Sequence, residues 1–278
     1  MGETKSNYLW DNSATSEVSQ RFRSLEIMYD SITFQHIESL GIWEGWKCLE
    51  VGGGGGSVTK WLSEKVGKSG RVLVTDINPI FLKDFKTELG NVDVLQHDIT
   101  SESGIPKDAF DLAHARLVLI HLAQREKALV NMVSSLKSGG WVMIEDFDLI
   151  LNELLLPREM KKDNEASEIA DLFNRLMQAR NKLLREHGAD PSYARGLYSM
   201  MLTQGLVDVG MSAAGARSWR GGSAGAKLHI ANSMQSKDEL IMTGLLSGKE
   251  FDKVIKMLND PDWLVFSPLM FSAWGRKP

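Results

Sequence analysis

Residues 52–56 are all glycine and follow directly on the apolar run Lys47–Val51 (KCLEV), so a strand here ends in a loop without side chains. Such a loop lets the backbone turn sharply and approach a ligand closely, at an entropic cost that a purely structural connection has little reason to bear. A dinucleotide fingerprint needs Gly-x-Gly-x-x-Gly, or Ala at the last place. Counted from Gly52 and Gly54 that place is Ser57, and counted from Gly53 and Gly55 it is Val58. The phosphate-loop ending Gly-Lys-Ser/Thr is absent as well. What fits is Glu50-x-Gly52-x-Gly54-x-Gly56 at a strand end. Asp76 closes the next apolar run (RVLVTD), 20 residues beyond Gly56. A carboxylate there can accept hydrogen bonds from both hydroxyls of a ribose. Asp98, in Leu95-Gln96-His97-Asp98-Ile99, can accept from an adenine amino group while the Ile99 amide serves a ring nitrogen; aspartate also starts turns.

His114 and His121 flank a fourth apolar run in AHARLVLIHL. Histidine takes a proton near neutral pH, so each is a candidate general base, although a histidine in an apolar stretch is more often a satisfied core or supporting residue. Arg116 suits an acidic substrate or a neighbouring carboxylate. Glu145, Asp146 and Asp148 suggest a magnesium site, but oxygen-rich sites draw carboxylates from more than one element, and the fourth run ends in His114-Ala115-Arg116. No metal is expected. Cys48, the sole cysteine, excludes an intrachain disulfide and a multi-cysteine zinc site, and reads as a small buried hydrophobe.

The elements that must position these residues alternate strictly. After a helix over residues 16–37, strands at 47–51, 71–75, 92–95, 110–113 and 141–144 are separated by helices at 57–66, 80–89 and 125–136. Alternation at this spacing argues for right-handed βαβ crossovers and a parallel sheet, with all three candidate ligand features at the carboxyl ends of strands. Beyond Asp148 the pattern predicts a long helix over 165–186, strands at 215–219 and 264–274, and helices near 237–246 and 250–258. The chain thus divides into an N-terminal helical cap segment (1–40), an α/β core (41–150), and helical cap insertions with the last strands of the core sheet (151–278). Tyr8 and Trp10 either close over a pocket or belong to a tail; Met200, Met201, Met211 and Trp219 either line an apolar cavity or belong to the core.

With 278 residues, 43% hydrophobic and 24% charged, the chain has ordinary globular composition. A net charge of -4 disfavours a nucleic-acid partner, because phosphate neutralisation demands a basic excess. No apolar leader or membrane-length run is present, so a cytoplasmic location and no membrane partner are expected.

The segments CLEVGGGGGSVTKWLSEKVG, RVLVTDINP, LQHDI, FDLAHARLVLIHL and LKSGGWVMIEDFD resemble class I S-adenosylmethionine-dependent methyltransferases, especially bacterial small-molecule enzymes. The resemblance covers residues 43–148, and the ending SPLMFSAWGRKP is similar too. It implies a doubly wound, seven-stranded, mostly parallel Rossmann-like sheet with an antiparallel last strand, and S-adenosyl-L-methionine as cofactor. By that resemblance Glu50, Gly52, Gly54 and Gly56 line the methionine and ribose portion. Asp76 takes the ribose, Asp98 and Ile99 the adenine, and Ala115 or Arg116 the methionine end, with Ile77 counted among the cofactor-binding residues. Ser138 stands where family members often have proline. The expected reaction is methyl transfer to a small, fairly apolar metabolite, of the kind found in secondary metabolism. Its rivals are a cyclisation or rearrangement on the same cofactor, and a non-catalytic regulatory protein. A nicotinamide dehydrogenase is the remaining possibility, and the missing third glycine and the Asp98 motif count against it. The acceptor atom and the oligomeric state are not legible.

Overall fold

Local periodicity explains the first crossover. In α2 (Ser57–Val66) the residues Val58, Leu62 and Val66 fall four apart and are buried, and Gly67 in a positive-φ conformation ends the helix. They pack with Cys48 of β1 (Lys47–Val51), Val72 and Val74 of β2 (Arg71–Asp76) and Ile37 of α1 (Ser16–Ser39). Each fully buried aliphatic side chain in this layer contributes about 1.5–3 kcal/mol.

The computed structural model describes residues 9, 16–150, 155–157, 164–215 and 217–278; Tyr8 and Trp10 lie outside them. The chain continues through α3 (Phe85–Leu89), β3 (Val92–Gln96), β4 (Phe110–Arg116), α4 (Arg125–Ser135) and β5 (Leu136–Asp148). Then come β6 (Leu155–Pro157), α5 (Asn164–Glu186), α6 (Leu197–Thr203), β7 (Val207–Ala214) and β8 (Ser218–Arg220). Last are α7 (Ala224–Gln235), α8 (Lys237–Met242), α9 (Gly248–Asn259), β9 (Trp263–Phe266) and β10 (Leu269–Arg276).

Two compact units emerge, each made of three stretches of chain. One comprises Tyr29–Asp148, Ser192–Gly215 and Leu269–Pro278. Its seven-stranded sheet has the order β3-β2-β1-β4-β5-β10-β7. Strands β1 to β5 pair in parallel, while β10 runs antiparallel to both β5 and β7. This is the doubly wound, mostly parallel sheet with one reversed strand expected from the sequence. The other unit takes the described parts of Met1–Met28, Leu149–Pro191 and Ala216–Pro268. There Ile169, Leu172, Phe173, Leu176 and Leu184 bury one face of α5, in contact with α9.

Three expectations need correction. The strand expected over 264–274 is two strands in different sheets: β9 joins β6 and β8 in an antiparallel three-stranded sheet, and β10 enters the large one. Pro268 stands at the break, and a residue without an N–H cannot continue an interior ladder. Among the described residues of the strand expected at 215–219, only 218–219 are extended, within β8, while β7 ends before it at Ala214. The region 151–278 therefore adds a small sheet as well as helices.

Candidate active site

The glycine loop joins β1 to α2, and its backbone demands glycine. Gly52, Gly54 and Gly56 have φ of 72°, 51° and 88°, a region that L side chains rarely enter. A Cβ on Gly52 would lie 2.3 Å from Val118 Cγ2, and one on Gly56 would lie 2.3 Å from Phe85 Cζ. The Gly54 N–H donates to Asp76 Oδ2 (3.0 Å), so the loop is tied to the carboxyl end of β2.

Asp76 is buried, and its Oδ1 accepts from the Asn78 N–H at 2.9 Å. Both carboxylate oxygens of Asp76 thus accept from backbone N–H groups at the carboxyl end of β2. Ile77 beside it is exposed. Asp98 is exposed, and its Oδ1 accepts from both the backbone N–H (2.9 Å) and the hydroxyl (2.8 Å) of Thr100. It therefore starts a turn, and Ile99 is buried.

Beneath the loop lies a buried polar cluster that spans the sheet and α1. His114 on β4 is fully buried between two carboxylates, with Nδ1 2.7 Å from Glu50 Oε2 and Nε2 3.4 Å from Glu145 Oε2. Burial alone would strip its proton, but the charge of Glu50 and the hydrogen bonds to Glu145 and Glu50 outweigh it and raise the pKa to about 9. Burial would likewise raise Glu145; hydrogen bonds from His114 and His36 reverse this and hold it well below the usual carboxylate range. Glu145 also accepts from Thr33 Oγ1 (2.5 Å) and Ser272 Oγ (2.6 Å). Arg116 donates to Thr33 Oγ1 (2.9 Å) and to Asp30 Oδ1 (2.8 Å), which also accepts from Ser57 Oγ at the start of α2 (3.1 Å). Arg116 is thus paired with the Asp30 carboxylate. Both ring nitrogens of His114 are engaged and no part of it reaches the surface, so it has no nitrogen to offer a substrate proton.

A family model described as a methyltransferase domain matches residues 49–144, which run from β1 through β5. The ubiquinone/menaquinone biosynthesis C-methyltransferase UbiE of Pseudoalteromonas translucida is 30% identical over 52% of this chain and 64% of its own length. That of Hydrogenovibrio crunogenus is 33% identical over 43% of this chain and 49% of its own. Residues 49–144 form a methyltransferase domain. The fold agrees: the YcgJ protein of Bacillus subtilis superposes with a TM-score of 0.55 at 16% identity, covering 92% of this chain and all of its own. The chain spans about half to two thirds of the curated relatives it matches.

The residues present fit S-adenosyl-L-methionine, the cofactor that the sequence leads one to expect. The positive-φ glycines carry no side chain at the strand end, and the Asp76 carboxylate lies beside the loop, bonded to the Gly54 N–H. Ala115 is buried on β4. His121 ends a 3-10 turn, Leu119–His121, that follows β4 and is half-buried. Asp146, fully buried, holds that turn by accepting from the Ile120 N–H (3.3 Å), and burial raises its pKa well above the ordinary value. Cys48 is buried on β1, which pushes its thiol pKa up. Met201 is core, Met200 and Met211 are half-buried on α6 and β7, and Trp219 is half-buried on β8. Among the described residues no group of three or more His, Cys, Asp or Glu could hold a metal, and no helix is long and apolar enough to cross a membrane.

Sequence reasoning had no means of finding Asp30, Thr33, His36 or Ser272. Each is an ordinary residue of a helix or strand, and only the sheet order brings them to Glu145 and Arg116. The one advance signal was polar residues at steps of three along α1: Asp30, Thr33 and His36.

Proposed function

We propose that this chain transfers a methyl group from S-adenosyl-L-methionine to a small, fairly apolar organic acceptor, and that the first acceptor atom to test is carbon. The observation that carries the reading is the glycine loop, whose positive-φ residues are hemmed by Val118 and Phe85 and tied to Asp76. The carbon acceptor rests on the relatives, which are C-methyltransferases of ubiquinone and menaquinone biosynthesis. A metabolic role in the cytoplasm, where the cofactor is made, suits such a reaction; no observation favours a cyclisation, a rearrangement or a purely regulatory role.

When bound, S-adenosylmethionine supplies a methyl already activated on a sulfonium. The chain then has to bind, align and exclude water. In this reading Gly52, Gly54 and Gly56 take the methionine and ribose portion by close backbone approach, with Glu50 fixed behind them. Asp76 accepts from the ribose hydroxyls while Ile77 covers the same edge. Asp98 and the Ile99 N–H serve the adenine. Ala115 and Arg116 border the methionine end, where the Arg116 guanidinium can meet a carboxylate. Of the two histidines, His121 is the candidate base if the acceptor carries a proton, because both His114 nitrogens are taken up by Glu50 and Glu145.

The test is parallel calorimetric titration of the full chain with S-adenosylmethionine, S-adenosylhomocysteine and NAD. Binding of the two adenosyl ligands without NAD is expected. Asp76→Ala should then weaken that binding by about 1–3 kcal/mol, the value of a hydrogen-bonded pair lost at a buried site. Binding of NAD alone, or an Asp76→Ala variant with unchanged affinity, would overturn the assignment. With binding secured, release of S-adenosylhomocysteine from phenolic and quinone precursors screens the acceptor class.

A further inference from the structure

We propose that Glu145 is a positioning residue for the cofactor: through His114 it fixes Glu50 ahead of the glycine loop, and through Thr33 it fixes Arg116 at the end of β4. The inference rests on the reading that this loop holds S-adenosylmethionine.

Glu145 is fully buried and receives four donors from three other elements: Thr33 and His36 of α1, His114 of β4 and Ser272 of β10. Four donors use the whole acceptor capacity of a carboxylate, so Glu145 has nothing left for a ligand and acts only through its neighbours. An ion in the core costs desolvation, and a well-packed apolar residue often does as well or better for stability. What the carboxylate supplies here is direction. Thr33 has one hydroxyl proton; with Glu145 accepting it, the Thr33 lone pairs are turned to Arg116 NH1 (2.9 Å). His114, donating from Nε2 to Glu145, presents Nδ1–H to Glu50, two residues before Gly52. His36 closes the cluster on the other side, with Nε2 2.9 Å from Ser212 Oγ. A glutamine at 145 would place an NH2 among these donors. Thr33 would then accept from it instead, and its lone pairs would no longer be reserved for Arg116.

The experiment measures S-adenosylhomocysteine affinity calorimetrically from pH 6 to 9 for wild type, Glu145→Gln, Thr33→Val and Ser272→Ala, alongside thermal unfolding of each. The charged groups facing His114 are Glu50 and Glu145 directly, with His36, Arg116 and Asp30 around them on α1 and β4. Glu145→Gln is expected to lose about tenfold in affinity, a charged hydrogen-bond network's typical worth. Its affinity should also become pH-dependent, because His114 with one carboxylate partner titrates closer to neutrality. Thr33→Val should weaken binding several-fold with the wild-type pH profile. Ser272→Ala, which removes a donor from Glu145 but touches neither Glu50 nor Arg116, should cost clearly less affinity than Thr33→Val while lowering the melting temperature.

A Glu145→Gln protein that melts earlier yet keeps wild-type affinity and pH profile would overturn the proposal. If that variant does not fold, Thr33→Val and Ser272→Ala decide: equal losses of affinity in both mean a general loosening of the core and overturn it too. Wild type that binds no S-adenosylhomocysteine overturns the cofactor reading instead, which is a different failure.

Discussion

His114 carries a proton because Glu50 and Glu145 flank it, and that proton is linked to folding. Its folded pKa, about 9, lies above the ordinary 6.5. Its contribution to stability is therefore complete below pH 6.5 and disappears as pH rises through about 9. Urea unfolding between pH 6 and 10 should show wild-type stability falling across that window, and the difference from His114→Gln should shrink with it. A flat difference would mean that His114 is neutral in the fold. The buried Asp146, whose pKa is also raised, likewise makes stability fall with rising pH, so the His114→Gln variant serves as the reference that isolates His114. At this scale the cofactor loop was legible because its chemistry is local: five glycines after an apolar run, and Asp76 one crossover later. Glu145 was not. In sequence it stands with Asp146 and Asp148 and suggests a cation site, whereas its partners come from residues 33, 36, 114 and 272.

At the scale of elements, the loop from β1 to α2 is held by what surrounds it. Gly52→Ala should cost about 1–2 kcal/mol for the left-handed backbone alone, plus the displacement of Val118. Gly52→Ala combined with Val118→Ala should recover the second part and not the first, a split that a double-mutant cycle in urea resolves. If the pair recovers nothing, Val118 is not what the new methyl meets. The strands β1 to β5 could be read from the sequence because parallel strands buried on both faces are short apolar runs between helices. Strand β7 escaped notice because VDVGMSAA is half-exposed and carries small residues where an apolar pattern would show. The boundary between β9 and β10 escaped for another reason: the apolar run is continuous, and only Pro268 marks the change of sheet.

For the molecule as a whole, both compact units are discontinuous in the chain, and neither can be excised as a single stretch. Truncation before Leu269 would remove β10 from between β5 and β7, baring two interior strand edges and taking Ser272 from Glu145. Such a protein should show no cooperative thermal transition by circular dichroism and should elute as aggregate in size-exclusion chromatography; a monomer that melts cooperatively would show that five parallel strands suffice. The reversed strand also sets a clock. A ribosome finishes β5 about 120 residues before it reaches Leu269, which at roughly 5–20 residues per second is on the order of ten seconds. For that interval the nascent sheet has an open flank on β5, and the enzyme's yield in a cell depends on whatever shields that flank until its partner emerges.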